Sequence, residues 1–188
     1  MALRILGPLE IVVDGESRRI GGPKERIVLA ALVLKANRVT SIDHLVDAVW
    51  ATSPPQSARI QIQKCVSLLR KLFGDSAQPG AIKTYPPGYL LEIPAQDLDS
   101  EQFSALVATA RTHVTDGQVE QAATALRTAL ALWRGRALDG IPSEIVQRGA
   151  AVLDSARLAA IEERMRLELE MEERRVGKEC RSRWSPYH

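Results

Sequence analysis

The sequence predicts two domains of different class, an α+β domain over residues 1–94 and an all-α domain over residues 97–175. Two observations separate them. Strand-like apolar runs lie near both ends of the first 93 residues with three helical patterns between them, and every pattern beyond residue 97 recurs at helical spacing. A chain of 188 residues has room for two small cores.

At the N-terminus, Leu3, Ile5 and Leu6 open an apolar stretch that Gly7-Pro8 interrupts and Leu9-Glu10-Ile11-Val12-Val13 resumes. Asp14-Gly15 marks a hairpin, because both residues tolerate positive φ, and the chain returns through Arg18-Arg19-Ile20. Pro23 suits the first turn of a helix in which Ile27, Leu29, Ala30, Ala31, Val33 and Leu34 leave little polar face, the pattern of a buried helix. Thr40-Ser41 offers an N-cap to a second helix, with Ile42, Leu45, Val46, Val49 and Trp50 at helical spacing. Ser53-Pro54-Pro55 ends it through ring sterics and a missing donor. A third helix is expected from about Ser57 to Phe73, with Ile62, Val66, Leu69 and Phe73 as its buried row and Gly74-Asp75 as its stop. Residues 81–93 turn to strand character on either side of Pro86-Pro87-Gly88. Strands, three helices and a terminal hairpin are the order of a winged helix-turn-helix.

After a linker over residues 94–99, helices are expected at roughly 100–115, 118–133 and 142–173. Ala122, Ala123, Ala125, Leu126, Ala129, Leu130 and Leu132 form a small-residue face that lets helices approach closely, as in tetratricopeptide-like repeats. Residues 176–188 bring Lys, Cys, Trp, Tyr and His abruptly after a Leu/Glu/Arg helix. They are read as a non-native or disordered tail and set outside the fold.

Hydrophobic content of 45% and charged content of 26% are those of an ordinary soluble protein. No apolar run approaches the roughly 18 residues a membrane span needs, and no secretory signal opens the chain, so a cytoplasmic location is expected. Cys65 and Cys180 are far apart and lack metal-ligand spacing. His44, His113 and His188 are widely separated, and there is no phosphate-binding glycine loop with a lysine. No catalytic site and no cofactor are expected. Residues 1–95 carry more Lys and Arg than Asp and Glu, and residues 96–175 the reverse, as in a nucleic-acid-binding domain joined to a protein-facing one.

The third helix is the most informative segment. Arg59, Gln63, Ser67 and Arg70/Lys71 recur three or four residues apart opposite the apolar row, flanked by Lys64 and Leu68. Cations and amides on one helix face suit a major groove, where Arg and Lys read guanine and Gln reads adenine. Arg59, Gln63 and Lys64 are the candidates for base edges, and Arg70 and Lys71 for phosphates. Lys83, Thr84 and Tyr85 sit near the hairpin tip with Tyr89, placed to hold phosphates or enter a minor groove. A solvated amphipathic helix and an ordinary sheet edge with Tyr89 turned inward are the competing reading of the same residues.

These strings resemble the winged helix of the Streptomyces antibiotic regulatory proteins, itself similar to the OmpR/PhoB-type effector domain. The matching segments are Leu6-Gly7-Pro8-Leu9 with Asp14-Gly15, Ala36-Asn37-Arg38-Val39 and Leu45-Val46-Asp47-Ala48-Val49-Trp50. Pro54-Pro55-Gln56-Ser57-Ala58, Val66-Ser67-Leu68-Leu69-Arg70-Lys71 and Thr84-Tyr85-Pro86-Pro87-Gly88-Tyr89-Leu90 continue the match in order. Residues 97–175, from Leu98-Asp99-Ser100-Glu101-Gln102-Phe103 and including Trp133-Arg134-Gly135, resemble part of the bacterial transcriptional activation domain that follows in that family. The resemblance implies a transcriptional activator that binds direct repeats in double-stranded DNA and recruits RNA polymerase holoenzyme, often at biosynthetic gene clusters. It also makes Thr52, Ser53, Pro54, Pro55 and Gln56 the polymerase-facing loop. Leu68 and Tyr85 stand where the family often has Arg.

Two other readings stay open: a helical-repeat protein-interaction module, and the N-terminal part of a larger regulator with an ATPase domain. Residues 1–95 are expected to fold and bind DNA alone. The last helix, rich in exposed apolar residues, is expected to fray or self-associate.

Overall fold

The computed structural model describes residues 1–73 and 81–183, with side chains through residue 176. The stop signal at Gly74-Asp75 and the last five residues lie outside the described residues. The elements run β1 (Ala2–Arg4), β2 (Glu10–Val13), β3 (Glu16–Arg18), α1 (Pro23–Val33), β4 (Val39–Ser41), α2 (Ile42–Trp50), α3 (Ala58–Phe73), β5 (Ile82–Tyr85) and β6 (Gly88–Leu91). A 3-10 turn at Ala95–Asp97 leads to α4 (Asp99–Thr115), α5 (Val119–Ala131) and α6 (Glu144–Arg183). A small strand-rich winged region followed by helices is the class the sequence predicts.

β1, β2 and β3 form an antiparallel meander. Its second turn is the predicted Asp14-Gly15, with φ of 53° and 82°. α1 buries seven consecutive residues from Ile27 to Val33, because it is packed by both α2 and α3. Ser41 caps α2 by accepting from the His44 amide at 3.2 Å. β4 was not foreseen. It pairs with β6, placing the β5–β6 hairpin against the start of α2 in a sheet of order β4-β6-β5. The pairing requires glycine at position 88, where a Cβ would lie 1.9 Å from the Thr40 carbonyl oxygen. Asn37, at φ 60°, clips the far end by donating to the Ile93 carbonyl at 2.8 Å and accepting from the Ile93 amide at 3.0 Å.

The chain divides into two compact units, and neither is one continuous stretch: Met1–Gln102 with Trp133–Asp154, and Phe103–Leu132 with Ser155 onward. In the first unit the Asp99 carboxylate, nearly buried, accepts the Ile5 amide at 2.8 and 3.0 Å and the Leu6 amide at 3.0 Å. The Leu6 and Ile5 carbonyls accept from the Arg134 and Leu138 amides at 2.8 and 3.0 Å. Arg134 also pairs with Glu10 at 2.8 Å and lies 3.8 Å from Asp99. Burial is the largest influence on the Asp99 carboxyl and pushes it above its ordinary value, against the two amides and the Arg134 guanidinium. Ser143 Oγ donates to the Ala48 carbonyl at 2.7 Å, tying the last turn of α2 to the same segment. A chain closed at residue 95 would leave Ile5, Leu6 and Ala48 without these partners.

In the second unit, Phe103, Val107 and Ala110 of α4 are buried, as are Ala122, Ala123, Leu126 and Ala129 of α5 and Ala160 and Leu167 of α6. Ala122, Ala123, Leu126 and Ala129 belong to the small-residue face the sequence predicts, whereas Ala125, Leu130 and Leu132 of that face are half-buried. Arg127 reaches Glu168 at 3.3 Å, and Arg111 reaches Glu163 at 3.8 Å. Leu158, Met165, Leu169 and Val176 of α6 are exposed and fall on one stripe at 100° per residue.

Candidate nucleic-acid interface

α3 is amphipathic in the phase the sequence predicts. Ala58, Ile62, Cys65, Val66, Leu69 and Phe73 are buried against the first unit's core. Arg59, Ile60, Gln63, Lys64, Ser67, Leu68, Arg70 and Lys71 are exposed. Burial, with Glu25 beside it, pushes the Cys65 thiol up to about 11, so it stays protonated and belongs to the core.

The predicted contact residues differ in how they are held. Arg59 pairs with Asp43 of α2 at 2.6 Å, where both are well exposed and water screens the pair. Arg70 leans on the hairpin: Nε donates to the Ile82 carbonyl at 2.8 Å and a terminal nitrogen to Thr84 Oγ1 at 2.9 Å. Its guanidinium also stands 5.9 Å from the Tyr89 ring. Arg70 therefore braces the wing on α3, and Thr84 is the residue it grips. Tyr89 is buried, the inward alternative for that ring. Lys83 is paired with Glu92 across the hairpin base. Tyr85 is 57% exposed at the tip. Ser67 donates to the Gln63 carbonyl one turn back at 2.9 Å, which leaves its oxygen lone pairs at the surface. Among the described residues, the Gln63, Lys64 and Lys71 side chains have no such internal partner.

The sequence reading did not single out Ile60. It is 56% exposed, and at 100° per residue it lies within about 40° of Lys64, Ser67 and Lys71, at the middle of the exposed face. Helical phase relative to the Ile62–Val66–Leu69 row was the signal that could have found it.

The α2–α3 connection presents Thr52, Ser53, Pro54, Pro55 and Gln56, all exposed. It starts at Ala51, whose φ of 52° departs from the helical region. Lys24 holds the start of α3 by donating to Gln61 Oε1 at 2.6 Å and sits 5.1 Å from the Trp50 ring centre. The loop therefore springs from two anchored helix ends. Among the described residues no group of His, Cys, Asp and Glu is arranged to hold a metal, and no helix is long and apolar enough to cross a membrane.

Comparison with known proteins gives the same two parts. Residues 18–91 match the family described as transcriptional regulatory protein, C terminal, and residues 98–180 match the bacterial transcriptional activator domain. The transcriptional regulatory protein EmbR of Mycobacterium tuberculosis is 42% identical over 140 residues, covering 73% of this chain and 36% of that protein. The transcriptional regulator RedD of Streptomyces coelicolor is 33% identical over 86% of this chain and 47% of its own length, and the regulatory protein AfsR of the same organism 32% identical over 88% and 16%. A solved structure of Mycobacterium tuberculosis EmbR, in complex with a low-affinity phosphopeptide, superposes with a TM-score of 0.86 at 36% identity, over 89% of this chain and 45% of that one. The chain thus spans less than half the length of each of these relatives.

Proposed function

The chain belongs to the transcriptional regulators of the Streptomyces antibiotic regulatory protein type, and from that premise we propose that its first unit binds promoter DNA and activates transcription from there. In this reading α3 enters the major groove of double-stranded DNA and the β5–β6 wing rests on the flanking backbone. One observation carries it. α3 turns Gln63, Lys64, Ser67 and Lys71 outward on a face that the rest of the unit leaves open, beside a wing braced on α3 by Arg70. Gln63 and Lys64 take base edges, Lys71 takes phosphate, and Tyr85 with Thr84 takes the backbone next to the groove. Arg59 joins them by exchanging Asp43 for a base or phosphate, at little cost for so exposed a pair. Arg70 and Lys83 act chiefly inside the protein, through Thr84 and Glu92.

Direct repeats are the operator we propose, with the loop of residues 52–56 facing RNA polymerase holoenzyme and a biosynthetic cluster as the regulated locus. The loop's exposure and its anchored ends suit a protein contact. The stripe of Leu158, Met165, Leu169 and Val176 is the face we assign to self-association. The test is fluorescence anisotropy of the full chain on a duplex recovered from a randomised pool, repeated from 50 to 300 mM salt. Binding that weakens steeply with salt supports the proposal. Absence of binding at every salt concentration overturns it and leaves the reading as a protein-interaction module.

A further inference from the structure

We infer that Ile60 is a base-reading residue, seated against the 5-methyl group of a thymine in the major groove. The inference rests on the proposal that α3 enters DNA and goes further, by naming a residue that sets specificity and the base it prefers.

A single exposed apolar side chain is ordinary on a protein surface, so exposure alone carries nothing. The position carries the argument. Ile60 is the third residue of α3, in the N-terminal turn that helix-turn-helix proteins bring closest to base edges. It is 56% exposed at the middle of the outward face, with Lys64 one turn on and Ser67 and Lys71 further along the same face. Its two neighbours project about 100° to either side, Arg59 toward Asp43 and Gln61 toward Lys24, each at 2.6 Å. Ile60 is thereby the side chain of this turn that projects straight outward. A branched alkyl group on an otherwise polar and cationic helix face has one complementary feature on a duplex, the thymine methyl, which is the apolar group the major groove displays. Lys64 takes a base edge and Lys71 a phosphate further along the helix, while Ile60 loses its exposed surface to the methyl. Leu68 is also exposed, at 51%, but lies two turns further on and about 80° around the helix. It faces away from the groove floor when Ile60 faces it.

The experiment uses the full chain and a duplex recovered by binding-site selection. Each thymine is replaced singly by deoxyuridine, which removes the methyl and nothing else. One replacement should weaken binding about fourfold, the equivalent of one buried methyl group, and the others should have little effect. Ile60→Ala should bind the parent duplex more weakly and should no longer distinguish thymine from deoxyuridine at that step. Ile60→Leu should keep part of the discrimination, and Leu68→Ala all of it. Because Ile60 is exposed, these changes leave the core intact, and an unchanged salt dependence verifies that phosphate contacts persist. Insensitivity of the parent protein to every deoxyuridine overturns the inference, as does a penalty that survives Ile60→Ala or a selection that yields no base preference. In those outcomes salt-dependent binding persists, so the DNA-binding proposal stands. Loss of all binding by the parent chain would instead remove that proposal, and this one with it.

Discussion

Asp99→Ala is expected to destabilise the first unit severely, although Asp99 lies outside the predicted DNA-binding stretch. The carboxylate accepts the Ile5 and Leu6 amides at 2.8–3.0 Å and is nearly buried. Alanine would leave both donors shielded from water and unpaired. Each such donor costs about 1–3 kcal/mol, so the substitution should cost about 2–6 kcal/mol, a large part of the 5–15 kcal/mol typical of a domain. Asp99→Asn keeps one oxygen that can accept both amides, but it sets an NH2 group where the second oxygen accepted the Ile5 amide at 2.8 Å and gives up the charge beside Arg134 at 3.8 Å. It should cost less than alanine but still about 1–3 kcal/mol. Urea denaturation at pH 7, followed by far-ultraviolet circular dichroism, reads both variants. A cost below about 0.5 kcal/mol for Asp99→Ala would refute the claim that this carboxylate holds β1 to the start of α4. A chain ending at residue 95 also lacks Arg134, Leu138 and Ser143, and should be less stable than Asp99→Ala.

Gly88→Ala should unpair β6 from β4, because the new Cβ would meet the Thr40 carbonyl oxygen at 1.9 Å and backbone cannot yield cheaply; hydrogen exchange at residues 39–41 and 88–91 should rise, and unchanged protection would contradict the pairing. His44 is held below its ordinary value, first by burial and then by Lys35. Its contribution to stability is present above the unfolded value of about 6.5 and lost as pH falls through the folded value, so denaturation midpoints should drop on acidification and drop less in His44→Gln. An equal drop in both proteins would remove His44 as the cause. Replacing residues 52–56 by Gly and Ser should spare DNA affinity and lower transcription in a reconstituted assay, whereas parallel loss of both would make the loop a structural connection.

Much of this architecture is legible in local residue patterns. Asp14-Gly15 specifies a hairpin through positive φ, Pro23 starts α1, and the Ile62–Val66–Leu69–Phe73 row sets the buried side of α3. β4 was not legible, because three residues between two helical patterns give no alternation to detect. The Asp99 bonds were hidden for another reason: they join residues 93 and 94 positions apart, and nothing in a lone acidic residue at a helix start distinguishes a buried acceptor from an exposed one. The same separation hid the membership of residues 133–154 in the first unit. Within the site, Arg70 and Lys71 look interchangeable as neighbouring cations, yet a rotation of 100° turns one onto the wing and the other outward. Arg59-Ile60-Gln61-Ile62 alternates, so Ile60 is easily taken for a core residue until helical phase is applied.

The central claim is that the outward face of α3 engages DNA, with Lys71 on a phosphate, while Arg70 braces the wing. The salt dependence of DNA affinity, measured as the slope of log K against log salt concentration, tests it most directly. Lys71→Ala should reduce the slope by about one, with the fold unchanged. A slope that this substitution leaves unaltered, or an affinity that does not respond to salt at all, would contradict the account.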